Sequence, residues 1–272
     1  MFVPRRHFNA LRDAKSLHTA VSLLENPGLL AQFSGYVGMP IESAVARLPA
    51  WARTKVLGLT QVALGTALET AVKSNEFAPG WAKAPVVNKV LAGASGAVGG
   101  AFGLPALAIE LPVSTTFILR SVATIAESEG EDLSSLEACM NCLQVFALGG
   151  RTSSDDASES AYFAVRAALA HEVTQAAQFI AKNGLGSSNA PAIVSLITEL
   201  SARFSIPVTQ KVAAQAVPII GGAAGALINT AFISHFENMA KGHFTVRRLE
   251  RLYGAEVVQR EYRRLASRLR TA

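Results

Sequence analysis

The side chains able to do chemistry fall into four groups along the chain. Glu110, Arg120 and Glu127 belong to one apolar run, AIELPVSTTFILRSVATIAE. Arg120 and Glu127 are seven residues apart, so on a helix they lie within about 20° of the same face. Arg120 is flanked by Phe117, Ile118, Leu119 and Val122 and needs a partner wherever it is buried. The structural reading is an ion pair. The functional reading is a polar site in which Glu110, on the adjacent face, accepts a proton or ligates a metal. Farther on, His235 and His243 are eight residues apart, and two imidazoles with carboxylates nearby can hold a divalent cation. Their spacing matches no established zinc motif, which favours hydrogen-bonded structural histidines. Asn229, Phe236, His243 and Arg247 share one stripe if their helix continues through Gly242, with His235 about 120° from Asn229.

The third group is Gly149-Gly150-Arg151-Thr152-Ser153-Ser154-Asp155-Asp156. A helix N-terminus preceded by Gly-Gly and Arg can bind an anion. The paired aspartates repel phosphate and suit helix capping or a cation better. Arg151, Asp155, Asp156, Asn229 and Arg247 are the candidate ligand-binding residues. The fourth group, Cys139-Met140-Asn141-Cys142, is a formal CxxC without a second ligand pair for zinc or a βαβ setting for redox work. His171-Glu172 is not part of an HExxH motif, because Gln175 occupies the fifth position. No Walker A, nucleophile-elbow or dinucleotide fingerprint is present. No metal or cofactor is assigned.

The elements that must position these residues are helices. The apolar content is Ala, Leu and Val on a glycine background, with only 7% aromatics, and no segment alternates with strand period. We expect an all-α chain forming a single compact domain over 15–272, preceded by a flexible arm over 1–14. Helices are read over 15–25 (closed by Asn26-Pro27-Gly28), 29–37, 40–48, 51–73, from Leu104-Pro105 to about Glu127, and over 134–148. A long one follows, with a capping-box-like start at Ser153, and runs to about Ala181. Another covers 191–204. Gly93, Gly96, Gly100 and Gly103 leave one helix face almost bare, and Gly221 and Gly225 repeat the theme; the two Gly-lined helices are expected to pack together in the core.

The segment 212–236 contains 25 residues with no Asp, Glu, Lys or Arg. Pro207 is read as starting its helix, and Pro218 with Gly221-Gly222 as breaking or kinking it. Such a stretch is long enough to cross a bilayer. Ala and Gly contribute little to insertion, however, and Pro218, Asn229 and His235 oppose it, so a core position is expected. An integral helical hairpin is the alternative.

Charge is divided. Residues 241–272 carry nine Lys or Arg against three Glu, a net of +6, whereas 127–159 carry eight acids against Arg151 alone. The last helix, 255–270, is amphipathic: Val258, Tyr262, Leu265 and Leu269 share a face and Arg260, Arg263, Arg264 and Arg268 lie off it. Arginines around an apolar face suit an anionic membrane surface, and with few aromatics between them nucleic-acid binding is not expected. The N-terminus has no apolar signal core, which places the chain in the cytoplasm, with its basic helix at the inner face of the membrane.

Three passages resemble the EcsC family: AIELPVSTTFILRSVATIAESEGEDL, VFALGGRTSSDDASESAYFAVRAAL and AAQAVPIIGGAAGALINTAFISHFENMAKGHFTVRRLERLYG, with ENPGLLAQFSGYVGMPIE near the start. The resemblance covers roughly residues 25–265. It implies a bacterial protein with no established activity, named from an operon that also encodes an ABC transporter, some of whose relatives sit at membranes. It supplies no catalytic residues. The expected function is a non-enzymatic, peripherally membrane-associated accessory or interaction protein. The alternatives are a hydrolase or metal-dependent enzyme with a polar site around Glu110, His235 and His243, and a binder of lipid or another small apolar ligand.

Overall fold

The computed structural model describes residues 11–25, 28–73, 104–150, 160–184, 190–217 and 222–271. Of these, 89% are helical and none is in a strand, so the fold is all-α. The helices are α1 (Leu11–Glu25), α2 (Leu29–Val37), α3 (Ile41–Ala46), α4 (Ala50–Lys73), α5 (Leu104–Ser128), α6 (Leu136–Leu148), α7 (Ala161–Asn183), α8 (Pro191–Gln215), α9 (Gly222–Tyr253) and α10 (Ala255–Thr271). The glycine stripe Gly93–Gly103 and the Arg151–Asp156 turn lie outside the described residues.

The core forms around α9. At 32 residues it is about 48 Å long, and it packs against α1, α2, α5, α6, α8 and α10. Phe232, Phe236 and Phe244 are fully buried on it. Phe236 meets Phe146 of α6 and Phe204 of α8 with ring centroids 5.6 and 5.4 Å apart, and Phe146 and Phe204 are edge to face at 4.9 Å. Aromatic pairs of this kind add about 0.5–1.5 kcal/mol each beyond the area they bury. The few aromatics are thus concentrated where three helices meet.

Local chemistry sets several helix ends. Ser135 caps α6 by accepting from the Ala138 N–H at 3.2 Å, and Ser160 caps α7 by accepting from the Phe163 N–H at 3.3 Å. The described helix after the signature turn begins at Ala161, and the expected start at Ser153 lies outside the described residues. α1 begins at Leu11, four residues before Lys15, and its first turn is tied down by Asp13, which accepts from Arg248 and from the Tyr253 hydroxyl.

Pro207 does not start a helix. It lies inside α8, which runs unbroken from Pro191 to Gln215. Lacking an N–H, it leaves the Arg203 carbonyl without its helical donor. That carbonyl faces Gly150, where an added Cβ would stand 1.9 Å from the Arg203 oxygen. Only glycine can back onto the gap that the proline opens. The continuation is favoured because Leu196, Leu200, Phe204 and Val208, spaced by four, form one buried stripe across the proline. Gly150→Ala is expected to lower stability by about 1–3 kcal/mol, since a backbone has to move to admit the methyl group. Urea unfolding checks this; a change below about 0.5 kcal/mol would mean the contact is not tight.

The uncharged 212–236 stretch is divided between α8 and α9 and is not one helix. By length and composition, two other spans could cross a membrane: 107–128 of α5 and 191–215, the whole of α8. A core helix passes the same test, and 50% and 39% of their apolar windows are buried.

Candidate functional site

Three clusters of buried polar side chains each join α9 to other helices. The first is Lys211, at the end of the α8 apolar stripe and fully buried. Its ammonium donates to the Glu110 carboxylate of α5 and, at 2.7 Å, to Asn229 Oδ1 of α9. Its Nζ also lies 4.8 Å from the Phe232 ring centroid. Burial lowers the Lys211 pKa from its ordinary value, and the Glu110 charge acts the other way. Two hydrogen bonds and an aromatic face occupy the ammonium, so the group joins three helices instead of presenting a free amine.

The second group is His243 with Tyr162, Arg166 and Glu250. The Tyr162 oxygen accepts from Arg166 at 3.1 Å and is 3.0 Å from His243 Nδ1. Arg166 binds Glu250 through two nitrogens, at 2.9 and 3.2 Å. Burial first, then the Arg166 and Arg247 charges, push the His243 pKa well below its usual value, so the ring is neutral. Arg166 can only donate to the Tyr162 oxygen, and the tautomer of the neutral ring sets which way the Tyr162–His243 hydrogen bond runs. The His243 Nε2 is buried with no hydrogen-bond partner among the described residues. Glu25 Oε1 accepts from Ser160 at 2.9 Å and from Tyr262 at 3.0 Å, joining α1, α7 and α10.

The third group is His235. Its Nε2 is 3.0 Å from the Gly149 carbonyl, which can only accept, so the proton is on Nε2, and Nδ1 is buried with no partner among the described residues. Burial pushes the pKa down to about 4, against the hydrogen bond to Gly149. This neutral imidazole caps the C-terminal end of α6, where the Gly149-Gly150 signature begins. An added Cβ on Gly149 would stand 2.8 Å from His235 Nε2 and 2.5 Å from the Phe236 ring.

Glu110 and Asn229 are therefore neighbours, whereas His235 and His243 face different helices. Two turns of α9 separate the imidazoles, about 12 Å of rise. Among the described residues, no three His, Cys, Asp or Glu side chains converge on a point that could hold a metal ion. The Arg120 guanidinium carbon lies 5.9 Å from the Phe117 ring centroid, and Glu127 is exposed near the end of α5. Cys139 and Cys142 are free and buried, and burial pushes both thiol pKa values up, that of Cys139 to about 11.

Arg247 belongs to a charged cluster at the far end of α9. It binds Glu131 at 2.9 Å and Glu137 at 3.2 Å. Arg248 binds Glu129 at 2.7 Å and Asp13 at 3.2 Å, and Arg251 also binds Glu131. Burial works against the Glu131 carboxylate, but the two arginines outweigh it and hold its pKa below the usual range. Glu129, Glu131 and Glu137 of the acidic middle are thus docked onto basic residues of α9. On α10, Arg260, Arg263, Arg264 and Arg268 are exposed, and Arg264 pairs with Glu261.

The groups on α5 to α9 all fall within residues 82–249, apart from Glu250 and Arg251, and the model of the EcsC protein family matches that segment. The chain belongs to the EcsC family. No curated protein and no solved structure matches it. The EcsC match is narrower than the stretch over which family resemblance is read in the sequence. It covers Lys211, Glu110 and Asn229, both α9 histidines, Tyr162 and Arg166, and leaves Glu25 of α1 and Tyr262 of α10 outside.

Sequence reasoning missed Lys211, Tyr162, Arg166, Glu250, Glu25 and Tyr262. For Lys211 a signal existed: the stripe Leu200, Phe204, Val208 continues by three residues onto it. The others are matched across the fold, Tyr162 to His243 and Glu25 to Tyr262, and no local pattern announces such pairs.

Proposed function

We propose that this EcsC protein is a non-enzymatic accessory protein that attaches peripherally, from the cytoplasm, to an anionic membrane surface through α10. One observation carries this reading. Val258, Tyr262 and Ala266 of α10 are buried, while Arg260, Arg263, Arg264 and Arg268 are exposed on its other faces. Arg247, Arg248 and Arg251 are engaged with carboxylates, so α10 carries much of the outward-facing positive charge. Its apolar side is docked on the core, so attachment rests on charge and not on insertion. The non-enzymatic part is supported by Glu110, His235 and His243, each buried in a separate contact between helices.

Flotation with liposomes tests it. Each arginine close to an anionic leaflet contributes about 1 kcal/mol, so changing Arg260, Arg263 and Arg268 to Gln together lowers partitioning roughly a hundredfold. Binding is expected with anionic vesicles only and is reversed by salt. Equal binding to neutral vesicles, or attachment that survives high salt, sinks the reading.

A second reading has its own observation. A groove of about 640 Å³ between α2, α3, α4 and α8 has Leu30, Val45, Ala46, Leu57 and Ile206 in its lining, together with polar residues that include Glu42 and Arg53. This supports binding of a lipid chain or another small apolar ligand. Native mass spectrometry of the purified protein is expected to show a retained lipid on that reading, and bare protein counts against it.

A further inference from the structure

We infer that a second cleft, between α6 and α7, is a binding site for an uncharged amide, either a peptide bond or a primary carboxamide. The cleft holds about 440 Å³, the scale of a small-molecule site. Its decisive residue is Gln144. The side chain lines the cleft and is only 7% exposed, yet it has no hydrogen-bond partner among the described residues. Its amide oxygen and nitrogen are not shut off from the cleft, because neither is among the fully buried polar atoms that lack a partner. A glutamine held this way has both a donor and an acceptor open to whatever enters.

The neighbours extend the same chemistry. Asn141, 6% exposed, donates one N–H to the Glu137 carbonyl at 2.9 Å, leaving its Oδ1 and second N–H. The Thr174 hydroxyl donates to the Ala170 carbonyl at 2.7 Å, so toward a ligand it can only accept. Gln178 adds another amide at the exposed edge. The lining therefore offers donors and acceptors side by side, the pattern that an amide N–H and C=O complement together. Charge is balanced: Arg166 is paired with Glu250, and Glu137 with Arg247. Neither an anion nor a cation is favoured. Met140, Val173 and Ala177 give one wall apolar character, which suits a short aliphatic substituent.

Saturation-transfer NMR on the full chain tests the site with four probes: N-acetyl-leucine methylamide, isobutyramide, isobutyrate and isobutanol. Transfer to the blocked leucine alone identifies the peptide bond as the ligand group, and transfer to both amides shows that a carboxamide suffices; both outcomes support the site. Gln144→Met keeps the volume and removes both hydrogen-bonding atoms. It is expected to weaken amide binding about tenfold while leaving Tm unchanged or raised. Thr174→Val, at an exposed position, is expected to weaken binding severalfold and serves if Gln144→Met does not fold. The site is overturned by no transfer to either amide, by equal transfer to isobutyrate or isobutanol, or by unchanged binding in the variants. A Tm loss of more than about 4 °C in Gln144→Met also overturns it, because the amide then has a structural partner in the protein.

Discussion

Lys211→Met is expected to destabilise the protein by about 3–5 kcal/mol, the usual result of removing one partner from a buried ion pair. The loss comes from what stays behind. Glu110 is 5% exposed and Asn229 fully buried, and without the ammonium both keep polar atoms at a buried position. Glu110→Leu alone is expected to have a similar effect, since it leaves the lysine charge unmatched. The double variant is expected to recover most of the loss, because an apolar pair of similar volume substitutes for a buried ion pair at little net change. Urea unfolding of the three variants gives the coupling directly. If either single variant loses less than about 1 kcal/mol, or the losses simply add, the pair is solvated and does not link α5, α8 and α9.

The second large effect is acid sensitivity. His235 titrates near 6.5 in an unfolded chain but only at about 4 in the folded one, and His243 is shifted in the same direction. Between those pH values the unfolded state binds more protons, so stability falls as the pH falls. Stability is full above about pH 6.5, and His235 alone removes about 3 kcal/mol by pH 4. Glu131 acts lower. Its carboxylate pKa is held below 4.5, so its contribution is lost only as pH falls through that depressed value. Urea midpoints measured from pH 7 to pH 4 should therefore drop well before carboxylates protonate. His235→Gln, which can still donate to Gly149, is expected to keep stability near pH 7 and flatten the slope between pH 6.5 and 4. A midpoint constant from pH 7 to 5, or an unchanged slope in that variant, would contradict burial of neutral imidazoles.

Helix type was legible in the chain because the local signals agree with one another. The first helix is described as far as Glu25, Pro191 opens α8, and the polar-apolar division of α10 puts Val258 and Tyr262 inward, as the structure does. Pro207 misled because its local rule is to break helices. A buried stripe on both sides of it and a glycine from another helix override that rule, and the glycine is 57 positions away. Among the candidate residues, the pairing of Glu110 with Asn229 required Lys211, which reads along the sequence as the charged border of an uncharged stretch. The histidines stand out by residue type, yet their partners Tyr162 and Gly149 are 81 and 86 residues distant. Spacing within a helix says which side chains share a face, not what the opposite wall supplies.

The central position of α9 has a consequence for how the chain is made. More than two hundred residues leave the ribosome before α9 does, and at about 5–20 residues per second that takes ten seconds or more. During that time α1, α2, α5 and α6 have no partner for the faces they later close on Phe232, Phe236 and Phe244. Their exposed leucines and valines are available to chaperones and to other nascent chains. Once α9 has emerged, α1 can close on it through Asp13, Arg248 and Tyr253.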